Sequence, residues 1–170
     1  MFHVEPISKS IVNKGILLFM MLFLFSCSTP RQAIDVSDYI LMPHGKEVLG
    51  NKGLTAFIFE NNPRKIPFNQ FVAQKYELGT YADVEYWVTI DGNKFKVMVY
   101  ENAELEKYFD TTTFIAANVE PDSAIVGSRA KFLAISVINS YNEDCLADNS
   151  LYKNTIITYL RDLKKEYYNS

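Results

Sequence analysis

Asp83-Val-Glu-Tyr-Trp-Val-Thr-Ile-Asp-Gly-Asn-Lys-Phe-Lys-Val-Met-Val-Tyr100 is the stretch that decides the fold. Asp91-Gly92 tolerates the positive φ values of a two-residue type I′ turn, so segments 83–90 and 93–100 should fold back as an antiparallel hairpin. Such a loop sets Val84, Tyr86 and Val88 opposite Val99, Val97 and Phe95, an apolar face. Glu85, Trp87 and Thr89 then meet Met98, Lys96 and Lys94 on the other face. A slip by one residue would put Val88 against Lys96 and mix the two faces, so the pattern specifies its own register.

Upstream, Leu54 to Phe59 is short, apolar on both faces and rich in strand formers, as a strand at a sheet centre should be. Asn61-Asn62-Pro63 ends it. Pro67 then sits where a helix begins, and Phe68, Phe71, Val72 and Tyr76 fall at helical spacing before Gly79, the expected left-handed cap of a helix over 67–78. Downstream, Asn102 is placed to cap a short helix that has Glu104 and Glu106 in its first turn and Leu105, Tyr108 and Phe109 on its inner face. Residues 110–129 read as a long loop with room for a strand near 114–119. Phe132 to Ile138 returns to strand composition. After a polar turn, Ser150 is placed to cap a last helix whose Tyr152, Ile156, Tyr159, Leu160, Leu163 and Tyr167 follow the helical repeat.

The order β-α-β-β-α-β-α makes this an α+β chain with one small domain, an antiparallel sheet and a C-terminal helix. Its first six elements match the ferredoxin-like βαββαβ order, with helices on one face of a four-stranded sheet. The stretch before Gly53 has Pro30, Pro43, Gly45 and Gly50 and no sustained period, and reads as a tether leading to a domain over 53–170, with Val36 to Met42 open between a short strand and a helical turn.

The first residues carry a different message. A leader with Lys9 and Lys14 precedes the apolar run Gly15 to Phe25, which has 11 residues. A membrane-spanning helix needs about 20. A charged leader, a short apolar core and a small residue before the cut form the secretory pattern. Leu24-Phe25-Ser26-Cys27 resembles the lipobox of bacterial lipoprotein signal peptides. The resemblance covers about the first 30 residues of the 170. It implies that residues 1–26 are removed, that Cys27 becomes the first mature residue bearing a thioether-linked diacylglycerol and a further acyl chain, and that 27–52 form the lipidated N-terminus and tether. Several acyl chains hold a protein on a bilayer where one would let it leave. Ser28 stands where an aspartate would resemble an inner-membrane retention signal, which points to the outer membrane and its periplasmic face.

Loss of Lys9, Lys14 and Glu5 with that segment leaves 144 residues with 15 basic and 19 acidic side chains, a formal charge of −4. Such a domain has no field to draw it to nucleic acid. With Cys27 lipidated, Cys145 is the remaining thiol and an internal disulfide is excluded. Its neighbours Glu143 and Asp144 disfavour a thiolate, so a packed thiol is expected. His44 is the single mature histidine, a loop residue near Asp35 and Asp38 in sequence, and multi-histidine zinc sites are ruled out. Asn142, Glu143, Asp144, Asp148 and Asn149 gather oxygen ligands without the spacing or glycine of an EF-hand, and suit a polar loop capping the last helix. Glu85, Glu101, Glu104 and Glu106 are the carboxylates from which glycoside chemistry could be built. Trp87 and Lys96, opposed across the hairpin, are the binding candidates, as a cation–π pair or, for Trp87, part of an aromatic contact patch. No residue is assigned a catalytic or metal-binding role and no cofactor is expected.

The expectation is a non-enzymatic lipoprotein, attached to the membrane through Cys27, that makes contacts with an envelope protein partner. A small-molecule, peptide or glycan binding domain is the alternative, and an envelope hydrolase the third reading.

Overall fold

The computed structural model describes residues 33–48, 53–79, 81, 84–100, 102–116 and 131–170. The expected signal segment, Cys27, Asp83, Glu101 and the C-terminal half of the expected strand at 114–119 lie outside these residues. Hairpin strands β4 (Glu85–Ile90) and β5 (Asn93–Tyr100) form in the expected register, Tyr86 opposite Val97, Trp87 opposite Lys96 and Val88 opposite Phe95. Asp91 and Gly92 take φ of 49° and 77°, the left-handed values that the turn requires.

Three further strands join them: β2 (Ile40–Met42), β3 (Ala56–Glu60) and β7 (Phe132–Asn139). The sheet order is β2-β3-β7-β5-β4, with every neighbouring pair antiparallel. Two short strands, β1 (Ile34–Val36) and β6 (Phe114–Ala116), pair in parallel beside it. Among the described residues the α-helices are α1 (Phe68–Lys75), α2 (Asn102–Tyr108) and α3 (Lys153–Asn169). The α+β class, the antiparallel sheet and the C-terminal helix are therefore as expected.

The strand order is not that of a split βαβ. That arrangement would set β3 and β4 parallel with β5 between them, whereas β7 separates β3 from β5 and β3 runs antiparallel to β4. The cause is in the side chains: Phe132 to Asn139 is buried at every position, so the centre of the sheet is where β7 removes most apolar surface from water. β4 alternates between exposed and covered residues, the pattern of an edge strand.

Nor do the helices share one face. α1 and α3 cover Phe57, Phe59, Phe95, Val97, Leu133, Ile135 and Val137 with Phe68, Val72, Ile156, Leu160, Leu163 and Tyr167. The opposite face, with Ala56, Ile58, Tyr100 and Ala134, is covered by Leu105 and Phe109 at α2 and by Val36 and Phe114 from β1 and β6. Both faces of the central strands are thus dry.

Two local expectations are corrected. The left-handed residue after α1 is Glu77 at φ 53°, with Leu78 N–H bonded to Ala73 C=O at 2.8 Å, so Gly79 is not the cap. Ser150 ends the turn before α3, its Oγ accepting from Tyr152 N–H at 3.3 Å, and the helix starts at Lys153.

Residues 33–48, expected to be tether with a short strand or helical turn over Val36 to Met42, supply the strands β1 and β2 and a close crossing of chain segments. Gly45 N–H donates to Leu54 C=O and Leu54 N–H to Lys46 C=O, both at 2.9 Å. A Cβ on Gly53 would stand 2.6 Å from Gly45 C=O, and one on Gly45 would stand 2.5 Å from Tyr100 Oη. Neither position has room for a side chain.

Candidate functional site

The exposed part of the hairpin lies over the end of the sheet face that α2 covers. Its side chains sort by charge. Trp87 is 47% exposed. Lys94 Nζ sits 4.9 Å from the centroid of its ring. Lys96, directly opposite Trp87, turns instead to Glu85 at 2.5 Å. The expected Trp87–Lys96 cation–π pair is therefore replaced by a diagonal Trp87–Lys94 pair, because a carboxylate in reach outcompetes a ring for an ammonium.

Lys46 extends this cluster, with Nζ 3.6 Å from Glu85 and 3.2 Å from Glu104. Burial alone would raise the Glu85 carboxyl, but the hydrogen bond from Lys96 and the charges of Lys96 and Lys46 hold it below the usual carboxylate range. Burial works against the Lys46 ammonium, and Glu104 and Glu85 more than offset it, so its pKa lies above the ordinary value. Glu85 and Glu104 are separated by a shared lysine, and an acid of lowered pKa has no proton to give near neutral pH. That chemistry opposes their use as a general acid and base pair for glycoside cleavage.

Beneath the charges runs a polar chain into the core. Lys46 N–H donates to Tyr100 Oη at 2.6 Å, Tyr100 Oη lies 2.9 Å from Ser136 Oγ, and Ser136 Oγ donates to Thr55 C=O at 2.8 Å. Since Ser136 spends its one hydrogen on Thr55, Tyr100 donates to Ser136 and accepts from Lys46. Thr55 N–H closes the series on Asp144 Oδ2 at 2.7 Å. Every hydroxyl in the chain has a partner, and its effect is to fasten the Gly45–Lys46 segment to the sheet.

His44 is exposed at φ 68°, one residue before this fastening. Asp38 does not approach it as an orienting carboxylate, since it pairs with Lys164 at 2.7 Å and Arg161 at 3.3 Å on α3. Those residues, with Asp162, Lys165, Tyr168 and Asn169, line a shallow groove of about 590 Å³ in which Asp38 is shared by two cations. Cys145 is buried, and burial, then the charges of Asp144 and Glu143, push its thiol up to about 12. It is a packed thiol.

The oxygen-rich loop spends its carboxylates one by one. Asp144 accepts from Thr55 and Leu146 N–H, Glu143 from the Asn139 amide at 2.7 Å, and Asp148 from Lys153 at 2.7 Å. Among the described residues no group of three or more His, Cys, Asp or Glu side chains is arranged to hold a metal ion. No described helix is long and apolar enough to cross a membrane.

Lys46, Tyr100 and Ser136 were not legible as a group, being brought together from three distant segments with no local motif. Compared with protein-family models, curated proteins and solved structures, the chain matches none.

Proposed function

We propose that this chain is a bacterial lipoprotein whose α+β domain is held at the periplasmic face of the outer membrane by lipid on Cys27, and that it acts there by non-enzymatic contact with an envelope protein. The observation that carries the reading is the run from Lys14 through the apolar segment to Leu24-Phe25-Ser26-Cys27, which unites a charged leader, a core too short to span and an acyl-accepting thiol. The side chains that an enzyme would need support a binding role in place of catalysis. Glu85 and Glu104 are bridged by lysine, Cys145 is buried as a thiol, and His44 is a surface residue. Trp87, with its ring exposed beside Lys94, supports a contact surface.

Replacing the acyl acceptor tests the anchor. Cys27→Ser is expected to abolish incorporation of a labelled fatty acid and to leave an uncleaved or mislocalised precursor. Undiminished labelling of that variant would rule the reading out. Isolation of the native lipoprotein with its neighbours cross-linked then tests the partner.

A further inference from the structure

The sheet has two open ends among the described residues, and they are unlike. β2 spans three residues and runs into Pro43, a short, proline-terminated edge of the kind that resists pairing. β4 spans six residues, with neither proline nor glycine within it. Val99 N–H bonds Val84 C=O at 3.0 Å, which fixes the alternation: the even-numbered residues of β4 bond to β5. The backbone N–H and C=O groups of Glu85, Trp87 and Thr89 therefore point out of the sheet, and all three residues are exposed.

We infer that β4 is a homodimer interface, pairing antiparallel with β4 of a second copy about a two-fold axis at Trp87 and joining two five-stranded sheets into one. The strand is complementary to itself in that register and on both faces. Glu85 comes opposite Thr89 of the second copy and Trp87 opposite Trp87, so no like charges meet. Beyond Thr89, two strand spacings from each Glu85, stands the other copy's Lys94, so the next charge across the joint is of opposite sign. On the face that α1 and α3 cover, Tyr86 meets Val88 and Val84 meets Ile90, which covers the half-exposed apolar side chains of Val88 and Ile90 at this edge. The outward backbone groups at Glu85, Trp87 and Thr89 all find partners at once. This pairing uses the folded domain alone and stands whether or not Cys27 carries lipid.

Sedimentation of the full chain in density-matched detergent is expected to show a concentration-dependent dimer. Thr89→Pro removes an outward N–H that β5 does not use, and should weaken the dimer by about tenfold or more while the thermal melt keeps its cooperativity. A second variant guards against misfolding: Cα atoms across a hydrogen-bonded pair lie about 5.5 Å apart, within disulfide reach. Trp87→Cys should thus form a disulfide-linked dimer when an added oxidant, copper phenanthroline, takes up the two thiol electrons, and the exposed Tyr141→Cys should not. A monomer at all concentrations, a dimer unchanged by Thr89→Pro, equal cross-linking of both cysteine variants, or cross-linking of Trp87→Cys solely to a different protein would each overturn the proposal.

Discussion

Gly45 shows how much one absent side chain can decide. Its backbone passes so close to Tyr100 Oη and Leu54 C=O that a methyl group would fall inside both contacts, at 2.5 and 2.9 Å. Gly45→Ala is expected to cost about 1–3 kcal/mol in a urea melt, the range for overpacking, and Gly79→Ala, with open space around its Cβ, to change little. Cys145 makes a pH-dependent prediction. Its thiol pKa rises from the ordinary 9.0 to about 12 through burial and the two acids beside it. Between those values the unfolded chain gives up a proton that the folded chain keeps, so stability is undiminished below pH 9 and falls as pH rises toward 12. Cys145→Ala should lose less stability than wild type as pH rises through about 9 to 10 in denaturant titrations, and native alkylation at about pH 7 should be slow until the chain unfolds.

The hairpin is the element in which sequence and structure agree most closely, because its information is local. Turn chemistry and face alternation sit within one continuous stretch, and each fixes the same register. Gly92 at φ 77° has nothing within 4 Å of the point where a Cβ would stand, so the cost of a substitution there is conformational and not steric crowding. Gly92→Val is expected to lower stability by about 1–2 kcal/mol in urea melts, with the β4–β5 register retained. Helix α3 agrees nearly as well: Ile156, Leu160, Leu163 and Tyr167 are buried at the expected spacing. Tyr159, half-buried on the same helix, places its hydroxyl 2.8 Å from those of Tyr76 and Tyr86, tying α1, α3 and β4 together. Helix α1 agrees in place but not in its ending, since Glu77 adopts the left-handed conformation that glycine would take at less cost.

At the scale of the whole molecule, the charge cluster joins four segments that are far apart in sequence. Glu85 on β4, Lys96 on β5, Glu104 on α2 and Lys46 after β2 meet over the sheet. Because Glu85 has a folded pKa below its ordinary 4.5, its contribution is complete above that pH and is lost as pH falls through the lower folded value. Acid titration of the unfolding midpoint should therefore show a shallower decline for Glu85→Gln than for wild type below pH 4.5. Equal slopes would mean that the cluster contributes no proton linkage.

The amino-acid sequence by itself determined the features whose cause is local: the hairpin and its register, the apolar face of α3, the α+β class and the pattern ending at Cys27. It assigned Trp87 to an exposed face and Cys145 to a packed one for the same reason, the chemistry of immediate neighbours. Tertiary structure decided the rest. Strand β7 entered the sheet between β3 and β5 because its eight residues are covered on both sides, a gain that depends on what packs above and below and not on strand periodicity. Residues 33–48 joined the fold because Gly45 and Gly53 let two segments touch and Tyr100 supplied a partner for Lys46 N–H. Lys96 left Trp87 for Glu85, and Lys94 took its place, because the energies of nearby charges depend on distances that spacing along the chain does not specify.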